Sequence, residues 1–157
     1  MVTRRSVLIG TGAVALGAVG FVAADGKDIF YAALTEDFPG GVLTVQDAHS
    51  KAVAGEITLV DIRRPDEWAK TGSGEGEGAH RLDLRRDDFP EAMAALVSGN
   101  LDAPIALICA AGVRSARESN RLQQVGFTNI IDVPEGMLGS GAGPGWLQSG
   151  LPLIHDE

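Results

Sequence analysis

Apolar positions follow two alternating patterns along most of the chain after residue 41. Continuous or alternating apolar runs indicate strands, and segments with apolar residues at helical spacing lie between these runs. The strand candidates are residues 57–62 (ITLVDI), 79–84 (AHRLDL), 104–109 (PIALIC) and 129–133 (NIIDV). The helix candidates are residues 44–54, 65–70 (PDEWAK), 88–99 and 114–127, and Gly126 is the expected C-terminal cap of the last one.

This regular alternation of strand and helix predicts an α/β fold. Residues 57–62 and 104–109 are apolar on both faces, which is typical of central strands in a parallel sheet covered by helices on both sides. Ligands of such sheets bind beyond the carboxyl ends of the strands. Cys109 stands at that end of its strand, so its position suits catalysis.

The first residues of the chain differ in pattern from the rest. Arg4 and Arg5 precede residues 7–24, which carry no charge, and this layout is typical of an export signal. The segment TRRSVLI resembles the twin-arginine signal, with Val7 at the usual Phe position. We expect export to the periplasm or beyond and cleavage before Asp25. The alternative is an uncleaved anchor, in which only residues 7–24 meet the membrane.

The length and composition indicate one globular domain, assigned to residues 42–157 after a linker or extension at residues 25–41. The chain has 157 residues, of which 45% are hydrophobic and 22% are charged. Its formal charge of -8 argues against a nucleic-acid partner, because phosphate binding needs clustered Lys and Arg. A single cysteine excludes an internal disulfide and a cysteine-based zinc cluster, and the three histidines are isolated. We therefore expect no metal and no cofactor.

The single cysteine is followed by the segment AAGVRS, which changes its interpretation. A lone cysteine after an apolar run is ordinarily a buried, inert thiol. Here Gly112 allows a positive φ, so the backbone N–H groups can curl around the sulfur at the start of a helix. Arg114 adds a permanent charge and planar donors for an anion. Together these features favour a reactive thiolate at Cys109.

The motif Cys-x-x-Gly-x-Arg-Ser, at Cys109, Gly112, Arg114 and Ser115, resembles that of the single-domain rhodaneses. The segments 59–68 (LVDIRRPDEW) and 145–154 (GWLQSGLPLI) resemble two further motifs of that family. The resemblance implies a rhodanese-like fold with a central parallel five-stranded sheet. One departure is TGSGEGEGAH at residues 71–80, where only Gly78 and Ala79 match the usual family segment.

The resemblance also implies a sulfurtransferase with a persulfide on Cys109. Its donor is a small sulfur-containing anion such as thiosulfate, or a persulfide, including one carried by a partner protein. Its acceptor is a thiol or cyanide. The backbone of Ala110, Ala111, Gly112, Val113, Arg114 and Ser115 is expected to bind the transferred sulfur and the donor.

Two other functions use a related loop or fold. Cysteine phosphatases and arsenate reductases place one residue more between the cysteine and the arginine, and no Asp or His general acid is evident near Cys109. A non-catalytic rhodanese-like docking module ordinarily lacks the cysteine. The presence of both Cys109 and Arg114 therefore favours the enzyme.

Several further residues allow a structural or a functional interpretation. Asp61 and Arg63 either fix the end of a strand or touch substrate, and the first is favoured. Trp68 and Trp146 are expected to be anchors of the core or of a loop. The arginines at 114, 117 and 121 share a helical face that either attracts an anionic donor or pairs with Glu118, and pairing is favoured. The glycine-rich segments 71–80 and 135–146 are either rims of the site or plain surface loops.

Overall fold

A parallel sheet organises the chain, whose computed structural model describes residue 30, residues 32–74 and residues 78–155. The strands in chain order are β1 (Gly41–Val42), β2 (Thr58–Asp61), β3 (Ser73–Gly74), β4 (Ala79–Arg81), β5 (Ile105–Ile108), β6 (Ile130–Val133) and β7 (Leu153–Ile154). Five of them form the main sheet in the order β1-β6-β5-β2-β4, and all its neighbours run parallel. Strands β3 and β7 form a separate antiparallel pair. The predicted five-stranded parallel sheet is therefore confirmed.

Helices cover both faces of this sheet, as the sequence predicts. The helices that follow β1 in the chain are α1 (Val45–Val53), α2 (Pro65–Thr71), α3 (Phe89–Leu96), α4 (Val113–Gln124) and α5 (Gly145–Gln148). On one face, Leu107 packs with Met93 of α3 and Leu122 of α4. On the other face, Ile108 packs in a second cluster with residues of α1 and α5, including Trp146. Alternate residues of β5 thus supply both cores, so its sequence reads as a continuous apolar run.

The helix ends follow from local chemistry. Thr44 is the N-cap of α1, where its hydroxyl accepts a hydrogen bond from the amide of Asp47. Pro65 opens α2, and the Glu67 carboxylate accepts from the Arg64 amide, as in a capping box. Helix α4 ends at Gln124, before the predicted limit, because the chain reverses at Gly126 with a φ of 106°.

Two predicted elements are shorter than expected. The strand predicted over residues 79–84 ends at Arg81, because the Asp83 carboxylate accepts the Arg85 amide and turns the chain. The helix predicted over residues 88–99 ends at Leu96, and the chain then takes positive φ at Ser98 and Gly99. Strands β1, β3 and β7 and helix α5 are too short to show a period in the sequence.

The linker packs against the domain at its C-terminal end. The Arg117 guanidinium of α4 donates to the Glu36 carboxylate, and the Asn120 amide group donates to the Asp37 carbonyl. Residue 41 already belongs to β1. The expected export signal at residues 1–24 lies outside the described residues. In the part of the chain that is described, no helix has both the length and the apolar character needed to cross a membrane.

Candidate active site

The cysteine lies at the carboxyl end of β5, in the short loop that leads into α4. Cys109 is the first residue after the strand, and only 1% of its surface is exposed. Two backbone hydrogen bonds from the segment after β6 hold the loop in place. The carbonyl of Cys109 accepts from the amide of Met137 at 2.8 Å, and the carbonyl of Ala110 accepts from Leu138 at 2.9 Å. The segment after β6 therefore fixes the backbone on which the sulfur is carried.

Gly112 makes the turn from the loop into α4 possible. It is the N-cap residue and lies in the left-handed region, with a φ of 83°. A Cβ atom there would lie 2.4 Å from the carbonyl oxygen of Pro134, which is shorter than any real contact of this kind. Only glycine therefore fits both the conformation and the space. The expectation that Gly112 supplies a positive φ is confirmed.

Ser115 connects the start of α4 to the sulfur. Its hydroxyl is fully buried and donates to the Gly112 carbonyl at 3.0 Å. The Cys109 thiol lies 3.6 Å away and donates to the same hydroxyl oxygen. The sulfur thus lies beside the first turn of α4. The unpaired N–H groups and the dipole at the start of a helix stabilise negative charge.

Arg114 meets Glu67 of α2 across the mouth of this loop. Its two terminal nitrogens donate to the two Glu67 oxygens at 2.7 Å each, so the pair is bidentate. The hydrogen bond to Arg114 is the main cause that holds the pKa of Glu67 below its usual range. The same bond raises the pKa of Arg114, and the nearby Cys109 contributes to that rise. The arginine that was expected to bind an anion is therefore paired with Glu67 in this structure.

Asp61 and Arg63 fix the segment between β2 and α2. The Arg63 guanidinium donates to both Asp61 oxygens, to the Thr71 hydroxyl and to the Gly72 carbonyl. Both side chains are buried, so the pair is shielded from solvent. The structural interpretation of these two residues is confirmed. Their role is to hold the start and the end of α2, and with it Glu67.

A cavity of about 300 Å³ adjoins the cysteine loop. Ala111 and Gly112 form one wall of this cavity. The linker forms another, and the glycine-rich segment after β6 forms the third. The full lining consists of Ala32, Thr35, Glu36, Asp37, Ala111, Gly112, Pro134, Ser140, Gly141 and Ala142. The segment 135–146 is therefore a rim of the site, as one interpretation of its sequence predicts.

The other residues that the sequence analysis singled out have structural roles. Trp68 and Trp146 are buried, which confirms them as anchors. Arg117 pairs with Glu36 and Arg121 with Glu118, so these two arginines do not form a free anion-binding face. The glycine-rich segment 71–80 is described only in part, and its residue Gly74 lies against the Trp146 ring. Within the described ranges no group of His, Cys, Asp or Glu side chains could hold a metal ion.

Asp132 of β6, which pairs with Leu107 of β5, is a buried acid that the sequence analysis did not single out. It is 4% exposed, and its Oδ1 atom has no hydrogen-bond partner among the described residues. Burial raises the pKa of this carboxyl to about 6, and the neighbouring Ser115 hydroxyl partly opposes the rise. A single acid within an apolar strand was the only sign of it in the sequence.

Comparison with known proteins agrees with this geometry. Residues 44–139 match the model of the rhodanese-like domain. The chain belongs to the rhodanese-like family. The match runs from the N-cap of α1 to the rim after β6, and it includes four of the five strands of the main sheet and the Cys109 loop. Among curated relatives, the uncharacterised protein RP600 of Rickettsia prowazekii is 26% identical over 99 residues, which are 60% of this chain and 80% of that protein.

Solved structures share the rhodanese-like fold at low sequence identity. The polysulfide-sulfur transferase homodimer of Wolinella succinogenes superposes with a TM-score of 0.62 and 24% identity, over 82% of this chain and 87% of that one. A protein of Rhodopseudomonas palustris described as a possible tyrosine phosphatase gives a TM-score of 0.52 and 24% identity, over 73% of this chain and 85% of that one. These likenesses establish the shared fold.

Proposed function

We propose that this rhodanese-like protein is a sulfurtransferase that carries a sulfane sulfur on Cys109. The observation that carries the proposal is the position of the sulfur beside the first turn of α4, 3.6 Å from the Ser115 hydroxyl. Four residues separate Cys109 from Arg114, so the loop is tight. A tight ring of N–H groups suits one added sulfur atom better than a tetrahedral phosphate. The family membership supports the same chemistry.

The reaction proceeds in two displacements at sulfur. The Cys109 thiolate attacks the outer sulfur of thiosulfate, the S–S bond of the donor breaks, and sulfite leaves with its electron pair. The product is the Cys109 persulfide anion, which the N–H groups of residues 110–115 stabilise as an oxyanion hole stabilises oxygen. Cyanide or a thiolate then takes the outer sulfur and restores the Cys109 thiolate. The chain has one cysteine, so the acceptor is external.

The cavity beside the Cys109 loop has room for the organic part of a sulfur donor or acceptor. Its volume of about 300 Å³ lies at the small end of ligand sites. Its walls at Ala111 and Gly112 are part of the loop that surrounds the sulfur. We place the organic part of an alkyl persulfide or thiol in this cavity, whereas thiosulfate needs only the loop.

Initial-rate kinetics with thiosulfate and cyanide test the proposed function. Parallel lines in double-reciprocal plots are expected, because sulfite leaves before cyanide reacts. Cys109→Ser should abolish thiocyanate formation and retain the native circular dichroism spectrum. Hydrolysis of an aryl phosphate faster than sulfur transfer would instead make the protein a cysteine phosphatase. Absence of both activities would favour a docking module.

We also propose that the protein is exported through its N-terminal segment. The paired Arg4 and Arg5 before the uncharged residues 7–24 support this. Replacing both arginines with lysine should retain the precursor in the cytoplasm of a host with a twin-arginine system, as cell fractionation would show. Unchanged export would exclude the twin-arginine route.

A further inference from the structure

Glu135 is the first residue of the rim segment, residues 135–146, and its side chain is buried. Only 4% of its surface is exposed, and no Lys, Arg or His side chain pairs with it in the described part of the chain. Its Oε1 atom accepts from the Val45 amide at 3.2 Å, and its Oε2 atom accepts from the Gly145 amide at 3.1 Å. Val45 begins α1 and Gly145 begins α5, so one carboxylate satisfies the first amide of two helices. These two bonds compensate the cost of burying the carboxylate.

The bond between Glu135 and Gly145 also joins the two ends of the rim segment. Next to it, the Trp146 amide donates to the Gly136 carbonyl at 3.0 Å. Gly143 packs tightly on the same carboxylate, because a Cβ atom at Gly143 would lie 2.6 Å from the Glu135 carboxyl carbon. The rim segment is therefore a closed loop, and the Glu135 carboxylate lies at the point of closure.

The start of the rim segment lies directly on the loop that carries the sulfur. The Met137 amide donates to the Cys109 carbonyl at 2.8 Å, and the Leu138 amide donates to the Ala110 carbonyl at 2.9 Å. A Cβ atom at Gly136 would lie 2.5 Å from the Ala110 carbonyl oxygen, so the two backbones are in contact there. The three residues that follow Glu135 thus hold the first two carbonyl groups of the Cys109 loop.

These bonds set the direction of two N–H groups of the Cys109 loop. A trans peptide places its C=O and its N–H on opposite sides, and no described peptide bond is cis. Because the Cys109 and Ala110 carbonyls point to the rim segment, the N–H groups of Ala110 and Ala111 point away from it. Neither of these N–H groups donates to an acceptor among the described residues. Both remain available to an anion on the sulfur.

We propose that Glu135 is a positioning residue for sulfur transfer. Its carboxylate fixes the rim segment between α1 and α5, and the rim segment fixes the direction of the Ala110 and Ala111 N–H groups. Glu135 does not touch the transferred sulfur and acts through backbone hydrogen bonds alone. Its effect on sulfur transfer rests on the proposed function, whereas its effect on the order of the Cys109 loop does not.

Amide hydrogen exchange, measured by NMR without a sulfur donor, tests the ordering of the loop. Glu135→Gln keeps the shape and one acceptor oxygen, but its NH₂ group meets a backbone N–H, so one of the two helix ends is released. The Met137 and Leu138 amides should exchange at least about tenfold faster than in the wild type. The Ile105 amide, which donates to the Asn129 carbonyl at the other end of β5, should stay within about twofold.

Sulfur transfer from thiosulfate to cyanide tests the positioning role. In Glu135→Gln, kcat/KM should fall about tenfold, because the two N–H groups are no longer held in place for the persulfide anion. Met93→Ala is the control for a general loss of stability, since Met93 is fully buried on α3 and α3 supplies no residue to the site. At a temperature where both variants are folded, Met93→Ala should keep kcat/KM within about twofold of the wild type and show no selective exchange at Met137 and Leu138.

Gly143→Ala displaces the carboxylate without removing it, and it decides the matter even if Glu135→Gln does not fold. Gly143 does not have a positive φ, so the added methyl group acts through its contact with Glu135. Both the faster exchange and the lower kcat/KM are expected again. Unchanged exchange at Met137 and Leu138 would overturn the proposal, and so would faster exchange with wild-type sulfur transfer. A wild type without sulfur transfer would contradict the proposed function, and exchange alone would then decide whether Glu135 orders the loop.

Discussion

Two hydrogen bonds of 2.7 Å join the Arg114 guanidinium to the Glu67 carboxylate across 47 residues of chain. The pair links the first turn of α4, whose Ser115 hydroxyl contacts the sulfur, to the first turn of α2. A fork-to-fork pair fixes orientation as well as charge. Arg114 therefore fixes the conformation of the loop between β5 and α4, and its positive charge remains near Cys109.

Arg114→Lys tests this positioning role. Lysine keeps the positive charge but can make only a single-point contact with Glu67 in place of two parallel hydrogen bonds. The loop that follows Cys109 should therefore be held less rigidly. We expect kcat/KM for sulfur transfer from thiosulfate to fall about tenfold, with Glu67→Gln giving a similar loss. Because the two residues act together, the double variant should be little worse than either single variant. Wild-type kinetics in Arg114→Lys would contradict the role of the bidentate pair.

Gly112→Ala tests the turn that surrounds the sulfur. The added Cβ would meet the Pro134 carbonyl oxygen, which is backbone and cannot move aside cheaply. Sulfur transfer should be lost, and the free energy of unfolding in urea should fall by several times the roughly 1 kcal/mol expected for positive φ alone. Gly55→Ala is the matched control, because Gly55 has a φ of 69° with nothing within 4 Å of the added atom. Equal losses for both variants would exclude the clash as the cause.

Asp132→Asn tests the energetic consequence of a buried acid. The Asp132 carboxyl has a pKa of about 6 in the folded state and near 3.8 in the unfolded state. At pH values between these two, the folded state therefore binds more protons than the unfolded state. The free energy of unfolding therefore falls as pH rises through this window. At pH 8 the Asn variant should be more stable than the wild type by roughly 2–3 kcal/mol, and the difference should vanish near pH 4. Urea unfolding at both pH values measures it. A difference independent of pH would contradict the account.

Much of the fold and part of the site could be predicted from the sequence. The central strands are continuous apolar runs, and Gly112 and Arg114 lie shortly after Cys109 in the sequence. The local sequence pattern was therefore sufficient to predict these strands and these two site residues. Glu67 was predicted only as part of a helix and of a segment that resembles a family motif. Its contact with Arg114 was not predicted, because periodicity carries no information about contacts between distant segments. Asp132 was hidden for the same reason, since its importance comes from the neighbouring strand and α4.

The wall formed by the linker was also not predictable. Glu36 and Asp37 carry no periodic signal, and their contacts are with Arg117 and Asn120 on the outer face of α4. Strand β1 has only two residues, so its pairing with β6 depends on the sheet that is already present. These elements are defined by tertiary contacts, whereas the predicted ones are defined by their own pattern.

Filling the cavity should separate two kinds of donor. Ala142 lies exposed on the rim of the cavity, so Ala142→Trp can occupy it without disturbing the core. We expect kcat/KM for glutathione persulfide to fall about tenfold and the value for thiosulfate to stay within about twofold. Val53→Trp, at an exposed site on α1, is the control for an added surface indole. Equal losses for both donors would show that the cavity does not bind the organic part.

The central claim is that Cys109 carries the transferred sulfur, and intact-mass spectrometry of the full-length protein tests it most directly. After incubation with thiosulfate or glutathione persulfide, the wild type should gain about 32 Da, one sulfur atom, and cyanide should remove it. Cys109→Ser should gain nothing under the same conditions. If no donor adds this mass to the wild type, or if the serine variant gains it as well, Cys109 is not the sulfur carrier.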